Sequence, residues 1–339
     1  MKKHRLTLAA FCLSVFFSIP HLYSQSESPV LRLDLKDPKD FHLRNFRLAS
    51  DAYKRKNPFD PVRIGLETLH ISGSAQPTEA GFKELKEKTK AKTIVDIDLR
   101  QESHGFFDAY PVSWYATHDW ANVGKTLSQV EKDENARLEA GLKEKDVTAN
   151  LIKNVGDDEG ELQEERIPFP LQVKTARTEQ QIAESLGIQY RRLPITDHRS
   201  PTDADVDRFL EIVKALPQDA WVHFHCEAGI GRTTTFMALY DMLKNAKQVT
   251  YSDIVKRQWM IGGLDLLKMP SKEDYRYPYA VARTDLVRRF YDYAQGDQTL
   301  SWSEWLKAEK KKAGKPSEKK PQKELKNPTS KPESESKPS

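Results

Sequence analysis

Short apolar runs alternate with amphipathic segments along most of the chain after residue 68. The apolar runs have the length of buried strands, and the amphipathic segments repeat their apolar positions with the period of a helix. The predicted strands are 69–73, 93–99, 190–195 and 221–225, and the predicted helices are 78–88, 178–186, 202–216, 234–243, 251–258 and 285–295. This alternation predicts an α/β fold with a largely parallel sheet flanked by helices, whose ligand binds beyond the carboxyl ends of the strands.

Residues 101–177 interrupt the alternation. An aromatic stretch is followed by a charged, helix-like run from Leu127 to Glu144 and by short-strand character from Val147 to Val173. The change of pattern between two alternating parts of the chain indicates an inserted unit. We therefore predict a small β-rich subdomain inserted at 101–177.

The two ends of the chain differ in composition from the rest. A basic start and an apolar stretch at 6–19 predict a secretory signal peptide at 1–24, and the polar residues 25–42 predict an N-terminal arm. Residues 307–339 consist mainly of Lys, Pro, Ser and Glu. Because such a composition buries too little apolar surface to fold, we predict a disordered tail. A solvated spacer is the simpler role for it, and binding to an anionic surface is the alternative.

The formal net charge of +4 is concentrated at these two ends. The tail carries eleven Lys against five Glu, and the first 24 residues carry two Lys and one Arg, so the body at 25–306 has a charge near −5. A mildly acidic body argues against general nucleic-acid binding. Removal of the signal peptide takes away Cys12 and leaves Cys226 alone, so the exported chain forms no internal disulfide and keeps a free thiol.

Cys226 ends the apolar run at 221–225 and begins a loop that leads into a helix, with Arg232 beyond five intervening residues. Backbone N–H groups of a tight loop and a helix start bind anions and favour a thiolate. The planar guanidinium of Arg232 can bind two phosphate oxygens, and the Thr233 hydroxyl can donate a hydrogen bond to the sulfur of Cys226. A lone cysteine is more often structural, but this complete pattern predicts a nucleophile for phosphate esters.

The loop between Cys226 and Arg232 is expected to form the phosphate-binding cradle. Gly229 and Gly231 are expected to supply backbone angles that other residues resist and to let the backbone approach the ligand. The predicted phosphate-binding residues are Glu227, Ala228, Gly229, Ile230 and Gly231.

A phosphocysteine mechanism also needs an acid on a second loop, because the leaving oxygen must be protonated. Asp197 lies between a predicted strand and a predicted helix, upstream of the cradle. We predict that Asp197 protonates the leaving oxygen and then activates water, and that His198 either positions Asp197 or contacts a substrate phosphate. A turn-forming aspartate is the alternative, but Pro201 and Thr202 already supply that turn.

The segment His225 to Thr233, together with Thr196-Asp197-His198, resembles the protein-tyrosine-phosphatase-like inositol phosphatases, the cysteine phytases. General tyrosine phosphatases carry Trp-Pro-Asp where this chain has Ile195-Thr196-Asp197. The resemblance extends over roughly residues 43–306, through further blocks at 69–75, 98–105, 119–122, 216–221 and 261–263.

The resemblance implies a tyrosine-phosphatase-like core at 43–306, in which the insertion at 101–177 is a small β-barrel-like subdomain. It also implies stepwise removal of phosphates from myo-inositol hexakisphosphate without metal or other cofactor. Arg276 and Arg283 stand where the family has lysines, which keeps the charge, although Pro278 disturbs the helix expected between them. The implied substrate contacts beyond the cradle are Arg47, Asp119, Lys153, Arg276 and Arg283.

Two other functions are compatible with the same residues. A secreted protein-tyrosine or dual-specificity phosphatase shares the chemistry but needs an aromatic wall beside a deep slot. A non-catalytic binding module for inositol phosphates or phosphoinositides has no need of the nucleophile. We expect a small polyanionic partner, no nucleic acid, no stable membrane insertion and a periplasmic or extracellular location, while the sequence leaves the oligomeric state open.

Overall fold

Two β-sheets and eight α-helices make up the part of the chain that the computed structural model describes, residues 28–55, 58–156 and 162–313. The predicted signal peptide at 1–24 and the residues after 313 lie outside this part. Within the described ranges, no helix combines the length and the apolar composition that a membrane span requires.

The elements follow one another in a mixed order of strands and helices. The strands are β1 (Val30–Leu33), β2 (Arg47–Leu48), β3 (Ile71–Ala75), β4 (Ile94–Arg100), β5 (His104–Phe107), β6 (Tyr110–Tyr115), β7 (Asp146–Gly156), β8 (Leu162–Gln172), β9 (Ala176–Arg177), β10 (Gln189–Ile195) and β11 (Trp221–Cys226). The helices are α1 (Glu79–Thr89), α2 (Leu127–Glu144), α3 (Glu179–Ser185), α4 (Asp203–Lys214), α5 (Gly231–Asn245), α6 (Tyr251–Met260), α7 (Tyr277–Gln295) and α8 (Trp302–Ala313).

The central sheet has five strands in the order β10-β4-β11-β3-β2. The first four run parallel, and β2 pairs antiparallel at the edge. Every residue of β4 is buried, because helices cover both faces of the sheet. One face packs around Phe209 and Phe236 of α4 and α5, and the other packs around Phe82 and Ile182 of α1 and α3. The predicted α/β fold with a largely parallel sheet is confirmed.

Threonine side chains begin several of the helices. Thr78, Thr126, Thr178 and Thr202 each accept a hydrogen bond from a backbone N–H in the first turn, which satisfies a donor without an intrahelical partner. The predicted start of the last core helix at residue 285 is wrong, because α7 begins at Tyr277. Proline is tolerated in a first turn, where its missing N–H leaves no bond unmade.

A second sheet of six strands contains most of the predicted insertion, in the order β8-β7-β1-β6-β5-β9. The long helix α2 has the predicted bounds, and Leu138 packs with Leu33 and Trp114 in the core of this unit. However, β1 comes from the predicted arm at 25–42 and pairs with both β6 and β7. The unit is therefore not formed by the insertion alone. Its outer strands β8 and β9 are not paired with each other in the described residues, so closure into a barrel is not confirmed.

The helix α8 extends into the segment for which the sequence predicts disorder. Trp302 is fully buried, and its indole N–H donates to Asp203 at 2.8 Å. Leu306 is also buried, so the first turns of α8 are fixed against α4. The predicted disorder is therefore wrong for residues 307–313. These lysine-rich residues continue the helix α8, whose start is anchored by the buried Trp302.

Candidate active site

Cys226 lies at the end of β11, where the chain leaves the central sheet and enters α5. Its side chain is 2% exposed, and the Thr233 hydroxyl donates a hydrogen bond to its Sγ at 3.2 Å. Residues 226–228 and 230–232 line a cavity beyond the carboxyl ends of the parallel strands. The structure thus brings together the predicted nucleophile, the predicted cradle and Thr233.

The two glycines of the cradle have different structural roles. Gly229 has a φ of +73°, and a Cβ there would lie 2.2 Å from the backbone N of Ala75. Any larger residue would therefore strain the backbone and collide with β3. Gly231 lies outside the left-handed region, and an added Cβ would meet nothing within 4 Å. The expectation that both glycines supply unusual backbone angles is wrong for Gly231, which keeps the space beside the cavity open.

Glu102 holds the guanidinium of Arg232 through two hydrogen bonds. Nη1 of Arg232 donates to Oε2 at 2.8 Å and Nη2 donates to Oε1 at 2.9 Å, while Nη1 also reaches the backbone O of Ile195 at 3.1 Å. Burial alone would raise the pKa of Glu102, but the charges of Arg232 and Arg100 hold it well below its usual range. This charged, doubly bonded carboxylate fixes the orientation of the arginine fork.

Asp197 follows β10, and its carboxylate lies against Arg232. Its Oδ1 is 3.0 Å from Nε of Arg232, and its Oδ2 is 3.2 Å from Nε2 of His198. The indole N–H of Trp120 donates to the backbone O of Asp197 at 2.9 Å. Burial lowers the pKa of His198, and the charge of Asp197 partly offsets this effect. The predicted acid, Asp197, therefore has two neighbours. One is Arg232, which is predicted to bind the substrate phosphate, and the other is His198.

Aromatic contacts support this second loop. The Tyr275 ring stacks on His118 with the centroids 3.7 Å apart and meets His198 edge-on at 5.6 Å. The Arg199 guanidinium lies over the Trp120 ring, 4.2 Å from its centroid. These contacts join three segments that are distant in the sequence, so sequence patterns did not reveal Trp120 or Tyr275 as supports of Asp197.

The cavity in front of the cradle has a volume of about 520 Å³, a size typical of small-molecule sites. Its lining carries three carboxylates, Asp197, Glu227 and Asp265, and twice as many cations. The cationic lining residues are Arg55, Arg199, Arg232, Lys268, Arg276 and Arg283. This excess of positive charge suits a polyanion. Sequence reasoning missed Arg55, Arg199 and Lys268, because no local motif marks them and only the fold brings them to the cavity.

The structure places Arg276 just before α7 and Arg283 in its second turn, and both line the cavity. Arg276 is exposed and forms an ion pair with Asp274. Arg283 is half-buried, and its Nε has no hydrogen-bond partner among the described residues. Burial lowers the pKa of Arg283. Its unpaired donor makes Arg283 better prepared than Arg276 to bind a substrate anion.

Arg47 lies behind the cradle and does not line the cavity. Its side chain is 1% exposed. Nη1 donates to the backbone O of Gly229 at 2.8 Å, and Nη2 donates to the hydroxyl of Thr234 at 3.1 Å. Burial lowers the pKa of Arg47 to about 10. The structure therefore does not bring Arg47 into the cavity, because its guanidinium is buried and bonded to the loop itself, and its contact with substrate stays a prediction.

Two further expected substrate contacts also lie outside the cavity lining. Asp119 is buried, its carboxylate is 3.6 Å from Arg32, and burial together with the charge of Glu102 raises its pKa well above the usual range. Lys153 is exposed on β7, opposite Glu165 of β8. The structure does not bring either residue into the cavity, because Asp119 is buried beside Arg32 of β1 and Lys153 belongs to a hairpin of the six-stranded sheet, and both contacts stay predictions.

A buried cluster of acids and imidazoles lies on the opposite face of the central sheet from the Cys226 side chain. Nε2 of His225 is 2.6 Å from Oε1 of Glu179 and 3.4 Å from Oδ2 of Asp96. These three residues have the types and the proximity that a metal ion requires. Burial alone would lower the pKa of His225, but the charges of Glu179 and Asp96 raise it well above its usual range. A protonated His225 pairs with these acids, so ion pairs account for the cluster.

The fold and the cradle together define a protein of the tyrosine-phosphatase-like class with a cysteine at its phosphate-binding loop. Residues 97–244 match the family model PTP-like phytase, described by the words inositol hexakisphosphate. The structure of a PTP-like phytase from Bdellovibrio bacteriovorus is 36% identical, with a TM-score of 0.65, and the match covers 83% of this chain and 95% of that chain. The chain belongs to the PTP-like phytase family, and the resemblance seen in its motifs is confirmed.

Three other relatives are longer than the region they share with this chain. The tandemly repeated PTP-like phytase from Mitsuokella multacida is 36% identical, with a TM-score of 0.71, over 83% of this chain and 49% of that chain. The structure of a PTP-like myo-inositol phosphatase from Mitsuokella multacida in complex with myo-inositol-(1,3,4,5)-tetrakisphosphate is 35% identical, with a TM-score of 0.71, over the same shares of the two chains. The effector protein hopD2 from Pseudomonas syringae is 27% identical over 310 residues, which is 85% of this chain and 62% of that protein. The chain thus spans about half of the first relative and less than two thirds of the effector.

Proposed function

We propose that this chain is a phosphatase that removes phosphates stepwise from myo-inositol hexakisphosphate through a phosphocysteine intermediate. The observation that carries the proposal is the position of the Cys226 cradle at the base of a cavity whose walls carry further cations. Membership of the PTP-like phytase family supports the same substrate class.

In the first step the Cys226 thiolate attacks phosphorus in line with the leaving oxygen. A P–S bond forms as the P–O bond breaks, and Asp197 gives its proton to the inositol oxygen so that inositol leaves as an alcohol. Arg232 and the N–H groups of the cradle stabilise the charge on the equatorial oxygens. Glu102 holds Nη1 and Nη2 of Arg232 at 2.8 and 2.9 Å, which fixes the guanidinium with its Nε on the side of Asp197.

In the second step water attacks the phosphocysteine. Asp197, now ionised, accepts a proton from the water as the new P–O bond forms and the P–S bond breaks, which releases inorganic phosphate. The Thr233 hydroxyl, 3.2 Å from Sγ, donates to the departing thiolate and stabilises it. His198, 3.2 Å from Asp197, positions the carboxylate for both steps.

The charge of the cavity favours an inositol polyphosphate over a phosphotyrosyl peptide. When one phosphate of a hexakisphosphate occupies the cradle, its neighbours on the ring extend toward the walls. There Arg283 offers an unpaired buried Nε, and Arg55 and Lys268 add charge on other parts of the lining. A phosphotyrosine has no second phosphate on its ring, so these cations would have no partner on it.

The test is phosphate release from inositol hexakisphosphate and from a phosphotyrosyl peptide, each with a chelator, for the wild type and Cys226→Ser. We expect faster, chelator-resistant turnover of the inositol substrate and no turnover by the variant. A higher kcat/KM for the peptide would assign the chain to the tyrosine phosphatases, and full activity of Cys226→Ser would exclude the phosphocysteine route.

We also propose that the protein is exported, on the basis of the signal-like segment at 1–24 and the single remaining cysteine. Both the effector and the bacterial phytases among its relatives are compatible with this location. Fractionation of the native host is the test, because a chain that stays in the cytoplasm with its N-terminus intact would contradict export.

A further inference from the structure

Three consecutive carbonyl oxygens of the cradle accept hydrogen bonds from the side chains of one short segment at 44–47. The three pairs are Arg44 Nη2 with Glu227 O at 3.2 Å, Asn45 Nδ2 with Ala228 O at 2.8 Å, and Arg47 Nη1 with Gly229 O at 2.8 Å. We call Arg44, Asn45 and Arg47 the carbonyl clamp.

The base of the carbonyl clamp is fixed to the central sheet. The N–H of Ala75 in β3 donates to the O of Arg44 at 2.9 Å, and Arg47 begins β2, which pairs with β3. Asn45 between them has a φ of +56°, a conformation that Asn adopts more readily than most residues. The three side chains therefore extend to the cradle from a backbone that is itself held in place.

The geometry of the peptide group links these bonds to phosphate binding. In a planar trans peptide, the C=O of one residue and the N–H of the next point in opposite directions. Carbonyls of residues 227–229 that face the carbonyl clamp therefore direct the N–H groups of residues 228–230 to the other side, toward the cavity. We infer that Arg44, Asn45 and Arg47 are positioning residues that keep the cradle N–H groups directed at the substrate phosphate, an inference that rests on the proposed function.

The cradle needs this support because convergent N–H dipoles repel one another when no anion is present. A rotation of one peptide plane would relieve that repulsion and remove a donor from the cavity. Each bond from the carbonyl clamp opposes such a rotation by holding the carbonyl end of the plane. The substrate therefore meets donors that are already oriented, which is the condition for electrostatic stabilisation of a transition state.

The carbonyl clamp also offsets the negative charge that the cradle itself carries. Oε1 of Glu227 accepts hydrogen bonds from Arg44 at 3.1 Å and from Arg32 at 2.9 Å. Burial alone would raise the pKa of Glu227, but the charges of Arg32 and Arg44 lower it. A paired carboxylate next to the nucleophile repels the substrate phosphate less than an unpaired one would.

Asn45 gives the sharpest test, because its side chain is exposed and buries no core surface. Asn45→Gly removes the donor and permits the positive φ. Asp219→Gly is a matched control, since Asp219 is also exposed with a positive φ of +59° but lies just before β11, at the other end of the sheet. Asn45→Asp is a second variant that keeps the shape of the side chain and replaces the donor with an acceptor.

The measurements are p-nitrophenyl phosphate hydrolysis, its inhibition by orthovanadate, and the thermal midpoint of each variant. We expect Asn45→Gly and Asn45→Asp to raise the inhibition constant of vanadate and to lower kcat, each roughly fivefold, with a smaller change in KM. Asp219→Gly should leave both constants unchanged, and the thermal midpoints of the two glycine variants should agree.

Two results would overturn the inference, and they are distinguishable. An active, vanadate-sensitive wild type with Asn45 variants within about twofold of it would show that the carbonyl clamp does not orient the donors, while leaving the proposed function intact. A wild type that neither hydrolyses the ester nor binds vanadate would overturn both, because a loop that binds no anion has no donors to position.

Discussion

The indole N–H of Trp120 donates to the backbone carbonyl of Asp197 at 2.9 Å, which joins the turn before α2 to the loop that carries the proposed acid. Trp120 thus holds the backbone of Asp197, and Arg232 and His198 hold its carboxylate. The proposed acid is therefore held in place before any substrate binds.

Replacement of Trp120 by Phe should impair the acid step selectively. The variant keeps an aromatic ring beneath Arg199 but loses one hydrogen bond to the loop, so we expect kcat for inositol hexakisphosphate to fall by about three- to tenfold. The pre-steady-state burst of p-nitrophenol from p-nitrophenyl phosphate should change less, because this leaving group needs little protonation in the first step. Trp305→Phe in α8 is the control, and an equal loss of the first-step rate on both substrates would contradict a role of Trp120 through the acid Asp197.

The two arginines of α7 should contribute unequally to substrate binding. The buried Nε of Arg283 has no hydrogen-bond partner in the part of the chain that the structure describes, whereas Arg276 is already paired with Asp274. A charged hydrogen bond to phosphate is lost in Arg283→Gln, so we expect kcat/KM for inositol hexakisphosphate to fall by about 10- to 100-fold, mainly through KM. Arg276→Gln should lose less than about tenfold. Equal losses from the two variants would show that the ion pair of Arg276 with Asp274 in the free protein does not reduce the contribution of Arg276 to substrate binding.

The two cradle glycines should respond differently to the same substitution. Gly229→Ala strains a residue at φ +73° and brings a methyl group to 2.2 Å from Ala75, so we expect lost activity and a large fall in thermal stability. Gly231→Ala meets nothing within 4 Å and should fold like the wild type, as judged by thermal unfolding. A stable Gly229→Ala variant with normal kcat would contradict the described path of the loop.

The buried cluster around Glu179 also includes His104, whose Nε2 is 3.1 Å from Oε2 of Glu179, and it predicts a dependence of stability on pH. Burial alone would lower the pKa of His104, but the charges of Asp98 and Glu134 raise it from 6.5 to about 9. A raised folded-state pKa means that His104 contributes its full stability below pH 6.5 and loses it as the pH rises to about 9. His225 has a raised pKa as well and acts in the same direction.

Urea unfolding at pH 6.5 and pH 9 tests this dependence. We expect the free energy of unfolding of the wild type to fall between the two pH values, with up to about 3 kcal/mol of the fall due to His104. His104→Gln should be less stable at pH 6.5 and should show a smaller fall. An identical fall in both proteins would mean that His104 does not carry the titration.

The sequence was most informative where the site is continuous along the chain. The cradle from Cys226 to Thr233 is formed by neighbours, so its pattern already specifies the strand, the loop and the helix start. The sequence was least informative where contacts are tertiary. The short β1 pairs with β6, about eighty residues away, and with β7, more than a hundred residues away, and no local pattern indicates that pairing.

Burial decides which residues suggested by resemblance reach the cavity, and the sequence does not show burial. Arg47 has the charge of a substrate ligand, but the fold places it behind the cradle, where it donates to the carbonyl of Gly229 and to the hydroxyl of Thr234. Conversely, Arg55 and Lys268 have no motif of their own and reach the cavity through the fold. Residue type is encoded locally, whereas the surface toward which a long side chain extends is decided by the packing around it.

The most direct test of the central claim is to trap the phosphoenzyme. Rapidly quenched reactions with inositol hexakisphosphate would be digested and mapped by mass spectrometry for the wild type, Thr233→Val and Cys226→Ser. Thr233→Val lacks the hydroxyl that lies 3.2 Å from Sγ and should slow the second step, so the intermediate should accumulate. We predict one added phosphoryl group on the peptide that contains Cys226, more of it in Thr233→Val and none in Cys226→Ser. Release of phosphate by an enzyme whose Cys226 is never phosphorylated would contradict the account.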